Sequence, residues 1–411
     1  MSFRPRQVAA LQALPAWVLL LRLVALPLGG QPVAQGTIRM PDSASDQEKT
    51  PRPVDPCADT VSPAPAGLVV WSPNGKQYIL NKPDDAGVYQ LYVGTRGSSP
   101  ICISCAARPN APAPDRNKLQ PRWHPSGKWI VLAVEMDNFQ APAFASPQMI
   151  QGWLQSGIWV NIFMTRPDGS EWYQLSNFGQ GQADGFTGVA FTPNGKLAAW
   201  AQIVDGNIFQ YLFGRWQLIL ADFDDSDGIP KFSNLRDITP QGAAWIEPGN
   251  FAPDGRSLLI TSDIGLKDPQ GMDQFIVDVT TGAVQNLTNS PNVWDEHGIF
   301  SPDGTKILFM SSYPYRSNPL SSTLLFLKTE FMLMDSDGSN LRQLTHFNVP
   351  GYPESDPPQQ STVAAIGGWN PDGRSITALN LVFPSYQTWS IIFFGRCGSA
   401  EGYRQTPFQR R

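Results

Sequence analysis

The chain has 411 residues, 41% of them hydrophobic and 11% aromatic, enough to build a core, so wholesale disorder is excluded. Its 30 Lys and Arg stand against 35 Asp and Glu, a formal charge of −5, so there is no basic footprint of the kind nucleic-acid binders carry. Its 36 Gly and 38 Pro fall below the ~25–30% joint share that marks low-complexity chains.

Residues 1–34 read as a targeting segment. Arg4 and Arg6 precede a Leu-rich run from Val8 to Leu21, which Arg22 interrupts and Gly29, Gly30, Pro32 and Ala34 follow. The run is shorter than the ~20 apolar residues that span a bilayer and suits a secretory signal, with an uncleaved N-terminal anchor as the alternative. The expected location is therefore exported: periplasmic, cell-surface or secreted, touching a membrane only through this segment if it is retained. Residues 35–66, rich in Pro, Asp and Ser, read as a linker.

One block then recurs: aromatic–x–Pro–(Asn/Asp/Ser)–Gly, followed by an apolar strand. It occurs at Trp71–Gly75, Trp123–Gly127, Phe191–Gly195, Phe251–Gly255, Phe300–Gly304 and Trp369–Gly373. Pro presets φ for the first turn position and Asn/Asp-Gly supplies the φ > 0 of a tight hairpin, so each block predicts two strands with the aromatic on the first. A second half-unit follows, with third strands near Tyr89–Val93, Trp159–Met164, Trp216–Ala221, Phe275–Val279 and Phe331–Met334. Each of these units closes on an aliphatic and a hydroxyl: Ile103-Ser104, Leu175-Ser176, Ile238-Thr239, Leu287-Thr288 and Leu344-Thr345. Four strands per unit, repeated radially, predict an all-β fold, a six-bladed β-propeller of four-stranded antiparallel blades over residues 67–400.

The last unit shows three clear strands, the third at Trp389–Phe394. Two segments compete for its fourth strand: Thr60-Val61-Ser62 in the linker, or the tail 401–411 through Tyr403-Arg404-Gln405-Thr406. In the first register Cys57 and Cys397 come within disulfide reach, so a Cys57–Cys397 staple in an oxidising compartment is expected. Cys102 and Cys105 suit a local disulfide or inert thiols better than a metal or redox motif.

The blocks Trp71-Ser-Pro-Asn-Gly-Lys76 and Phe300-Ser-Pro-Asp-Gly304, with Met334-Asp-Ser-Asp-Gly-Ser-Asn-Leu-Arg-Gln-Leu-Thr345, resemble the WD-like repeats of TolB-type propellers. The resemblance implies a propeller over residues 67–400; TolB also carries an α/β domain, which residues 35–66 do not supply, so only the propeller part of the pattern carries over. Similar repeats occur in the propellers of prolyl oligopeptidase-type enzymes, whose hydrolase domain the residues after Gly373 cannot hold.

Strands run up and down within a blade, so the longer connectors, Met136–Ser156, Ser311–Lys328 and His346–Ile366, are expected on one face. Residues just ahead of each aromatic should ring the channel mouth there. Two units share a pattern, Trp245-Ile-Glu247 and Trp294-Asp295-Glu296-His297, and these six-site residues (Trp245, Glu247, Trp294, Asp295, Glu296, His297) are the candidate ligand-binding set. Carboxylates beside flat aromatics suit a cation, a sugar or a peptide amine; packing between blades is the structural reading of the same residues. His124 should be solvated in its turn, and nothing brings His124, His297 and His346 together. No catalytic residue, metal or cofactor is assigned, since no nucleophile, P-loop or zincin motif occurs. The acid-rich Asp222–Gly228 lacks calcium-loop spacing, and Asn286-Leu-Thr288 is a sequon only in a glycosylating host. The expectation is a monomeric binding or scaffold module for a protein, peptide or glycan. The alternative is a glycan lyase or hydrolase using the channel-mouth carboxylates and His297.

Overall fold

A computed structural model describes residues 60–393 apart from 64–67, 138, 141–144, 179–183, 207–213, 267–270, 324–325, 357–359, 371–372 and 384–385. The targeting segment, most of the linker, Cys57, Cys397 and the tail 401–411 lie outside the described residues.

Turn chemistry builds the repeat. In the six blocks the glycine φ lies between 62° (Gly373) and 72° (Gly304). Each glycine N–H donates to the carbonyl three residues earlier, as Gly75 does to Ser72 (2.8 Å) and Gly304 to Ser301 (2.8 Å). This is a type I turn closed by one left-handed residue. The residue before the glycine has a different job from the positive φ expected of it. Its side chain accepts the N–H two positions on: Lys76 N to Asn74 Oδ1 (3.0 Å), Lys196 N to Asn194 Oδ1 (3.0 Å), Arg256 N to Asp254 Oδ1 (2.9 Å).

The result is a propeller of four-stranded antiparallel sheets. Five are continuous meanders, beginning at Leu68–Trp71, Lys118–Trp123, Phe186–Phe191, Ile246–Phe251 and Asp295–Phe300. The sequence reading expected six four-stranded blades, with Thr60-Val61-Ser62 or the tail completing the last; the remaining sheet is a composite one. It joins Ser361–Trp369, Ser375–Phe383 and Tyr386–Phe393 to Thr60–Pro63, which pairs antiparallel with Ser390–Phe393. Trp71 Nε1 donates to Asn370 Oδ1 (3.1 Å), linking the first sheet to this composite one.

The closing hydroxyls pin each meander. Ser104, Ser176, Thr239, Thr288 and Thr345 accept the N–H of Leu91, Ile162, Leu218, Gln274 and Phe331 on the third strands, at 2.8–3.1 Å. Four of them also donate to a polar side chain one residue earlier: Gln90, Asn161, Asp273 and Glu330, at 2.7–2.9 Å. A fourth strand this short, two residues in Ile101–Cys102 and Arg342–Gln343, is held by the hydroxyl where its ladder stops.

The core lies between sheets. Trp216 and Trp245 meet edge-to-face with centroids 5.2 Å apart, in a cluster running on through Trp294, Phe331 and Val363. His124 is a correction: it is 4% exposed, wedged against Phe191 and Phe223, with Nε2 3.0 Å from the Gly195 carbonyl of the next blade. Cys102 and Cys105 form a local disulfide, Cα atoms 5.7 Å apart.

The connectors from second to third strand leave from one face with the blade junctions. One carries helix α1 (Pro147–Gln155), capped by Ser146, whose Oγ accepts from Met149 N (3.2 Å). Another carries two 3-10 turns, Tyr313–Tyr315 and Pro319–Ser322. The third is shorter than expected, because Ser361–Ile366 already belongs to a strand. No described helix is long and apolar enough to cross a membrane.

Candidate channel-mouth site

First strands of neighbouring sheets line the propeller axis. Five of them carry a register shift: between Leu119 and Arg122, Thr187 and Ala190, Pro248 and Phe251, Glu296 and Ile299, and Ala364 and Ile366. Such a bulge re-aims side chains locally. In the fifth sheet it puts His297 at φ 57°, a left-handed conformation uncommon outside glycine. Glycines let these strands approach: a Cβ on Gly249 would lie 2.1 Å from the Gly298 carbonyl oxygen, and one on Gly188 2.8 Å from that of Pro248.

That approach brings Glu247, Glu296 and His297 together, with one ligand atom from each within 4.8 Å of the others. His297 Nε2 is 3.3 Å from Glu247 Oε2, the side chains 9% and 20% exposed. On its far side His297 Nδ1 is 3.0 Å from the Ala365 carbonyl of the composite sheet. Glu296 is 1% exposed; Oε2 accepts from Trp294 Nε1 (2.8 Å) and Oε1 has no hydrogen-bond partner. Burial raises the Glu296 carboxyl, opposed by His297 and reinforced by Glu247. For His297, burial disfavours the charged ring, but the Glu247 and Glu296 carboxylates outweigh it and leave the imidazole above its ordinary value.

The other candidates sit elsewhere. Trp245 and Trp294 are each 2% exposed and packed between blades, so they offer no open ring face. Asp295 is 1% exposed, with Oδ2 accepting from Ser290 Oγ (2.5 Å), and burial pushes its carboxyl up to about 7. His346 stacks on Tyr352, centroids 3.8 Å apart, and faces Glu354 in the junction loop. In the acid-rich turn, Asp222 pairs with Arg236 and Asp224 and Asp227 pair with Lys231. The sequon amide of Asn286 donates to Asp273 (2.7 Å).

Two features escaped the sequence reading. Arg122 is exposed to solvent yet surrounded by protein, as a side chain lining an axial channel is: burial lowers its pKa and Glu247 opposes this. Its place just ahead of Trp123 was the available signal. The second is Glu330, fully buried, which accepts from Thr345 Oγ1 (2.7 Å), Phe347 N (2.9 Å), Asn348 N (3.0 Å) and the Tyr315 hydroxyl. One carboxylate thereby clamps two connectors of the loop-rich face. On these connectors Leu320, Phe326 and Tyr352 are 53%, 56% and 43% exposed.

No protein-family model matches the chain, and no curated protein matches it in sequence. Among solved structures it is similar to a protein assigned as TolB from Agrobacterium tumefaciens, at 18% identity over 70% of this chain and 81% of that one, TM-score 0.46. It is similar to TolB from Acinetobacter baumannii at 15% identity over 77% of this chain and 63% of that one, TM-score 0.47, so it spans less than two thirds of that protein. An oligogalacturonate lyase in complex with manganese aligns at 11% identity over 79% and 88% of the two chains, TM-score 0.45. These distant likenesses carry no argument about the site, which rests on the geometry above.

Proposed function

We propose that the protein is an exported, non-catalytic binding module: a closed six-bladed ring, the composite sheet being its sixth blade, that holds a protein partner on its connector-rich face. The observation that carries this reading is the pair of connectors clamped on Glu330, which present Leu320, Phe326 and Tyr352 to solvent. Apolar groups on loops fixed by a buried carboxylate bind with little ordering cost. Glu247, Glu296 and His297 supply a polar anchor at the channel mouth.

The test is pull-down from the envelope or medium of the exporting cell with wild type, Phe326→Ser/Tyr352→Ser and Glu247→Ala/Glu296→Ala. Loss of one specific wild-type partner by the first pair supports the reading; identical partner sets with all three baits refute it. A glycan lyase or hydrolase is the second reading, favoured by the raised Glu296 carboxyl beside His297. It requires glycan turnover by the purified chain that Glu296→Gln abolishes.

A further inference from the structure

Glu247, Glu296 and His297 each bring one ligand atom to within 4.8 Å of the others beside the channel. We propose that Glu247, Glu296 and His297 form a divalent-cation site of the zinc class, with its fourth position facing the channel.

The first argument concerns the histidine tautomer. The Ala365 carbonyl can only accept, so His297 Nδ1 carries hydrogen and donates to it across 3.0 Å. In the neutral ring Nε2 then presents a lone pair to Glu247 Oε2, 3.3 Å away, which is also a lone-pair atom. Two such atoms at that distance call for positive charge: a second ring proton or a cation. A ring fixed through its other nitrogen by a backbone carbonyl is the arrangement of metal-ligating histidines.

The second argument is independent. Glu296 is 1% exposed, its Oε2 is oriented by Trp294, and its Oε1 is buried without a hydrogen-bond partner. A buried acceptor left bare is destabilising, whereas a carboxylate oriented through one oxygen presents the other as a ligand. The spacing of His297 and Glu247 agrees with the first. Zinc bonds of ~2.0–2.2 Å place neighbouring tetrahedral ligands roughly 3.3–3.5 Å apart, and the Nε2–Oε2 separation is 3.3 Å. One imidazole nitrogen with two carboxylate oxygens suits a borderline ion; calcium asks for six to eight oxygens. Arg122 puts a like charge in the same channel and should weaken the ion's hold.

The experiment uses the purified full-length chain alone, so its outcome is separable from that of the partner experiment. After chelator treatment and dialysis against Zn2+, one ion per chain is expected. Glu247→Gln, Glu296→Gln and His297→Asn should each weaken binding at least tenfold, the scale that even outer-sphere partners command; Asn tolerates the left-handed backbone at 297. Arg122→Gln should tighten it. Wild-type affinity in all three ligand variants, or no bound Zn2+ in wild type, overturns the site. Should a variant fail to fold, Co2+ bound to wild type decides: an intense four-coordinate visible band supports the proposal, and the weak spectrum of the aqueous ion overturns it.

Discussion

Glu330→Ala removes in one step the acceptor for Thr345 Oγ1, the Phe347 and Asn348 N–H groups and the Tyr315 hydroxyl. A buried donor left unmet costs ~1–3 kcal/mol. Thr345 is 0% and Phe347 4% exposed, so their donors bear most of that penalty, while half-buried Tyr315 and Asn348 regain water. The expected loss is about 3–5 kcal/mol, the range for breaking a buried charged network. Glu330→Gln keeps one acceptor oxygen but turns an amide NH2 toward the remaining donors, and should lose roughly half as much. Urea unfolding gives both values, and native-state hydrogen exchange should show the Phe347 and Asn348 amides unprotected in the alanine variant. A loss below ~1 kcal/mol, or retained protection of those amides, would refute the clamp.

Gly249→Ala drives a Cβ to 2.1 Å from the Gly298 carbonyl on a neighbouring inner strand, so it should cost ~1–3 kcal/mol by thermal unfolding and weaken Zn2+ binding together. His124 is buried and its pKa is lowered by burial, with the Gly195 carbonyl opposing; the folded state holds it neutral. Its contribution is therefore full above the unfolded value of ~6.5 and declines as pH falls below that. The stability gap between wild type and His124→Asn should narrow from pH 7 to pH 5, and a gap that widens would reverse the assignment. His297→Gly relieves a left-handed backbone worth ~1–2 kcal/mol, and loses the Ala365 hydrogen bond worth ~1 and, in chelator, the half-buried contact with Glu247 worth ~1–2. It should cost less than about 2 kcal/mol in chelator while abolishing the site, and a loss above ~3 would make His297 a packing residue.

The strand meanders were legible because their signals are local. Pro, Asn/Asp and Gly act within five residues, and Gly75 through Gly373 take the turn conformation their spacing requires. The closing hydroxyls were visible as a pattern, but the buried partners Gln90, Asn161, Asp273 and Glu330 were not, since a polar residue opening a strand looks solvent-facing until its neighbour is placed. The same gap explains His124: its turn is on the surface, yet the next blade covers it. The in-phase Trp-x-Glu pattern found Glu247 and Glu296, but the sides of the strand could not be told apart. Trp245 and Trp294 pack between blades, and the bulge that follows Glu296 sets the direction of His297.

Three residues ahead of the block aromatic, the six inner strands carry Leu68, Gln120, Gly188, Pro248, His297 and Ile366. Gln120, Gly188 and His297 share a positive φ there, at 48°, 67° and 57°. The bulge is thus shared by five of the six inner strands, and the ring needs no histidine in that slot, since glycine fills it with less strain. Gln120 holds the same conformation in the second blade, so what distinguishes the fifth is the company of the slot: a carboxylate at the preceding position and another contributed by the fourth blade. Left-handed backbone at a non-glycine residue, at a point where three ligand atoms lie within 4.8 Å of one another, is what the proposed cation site leads one to expect of this slot.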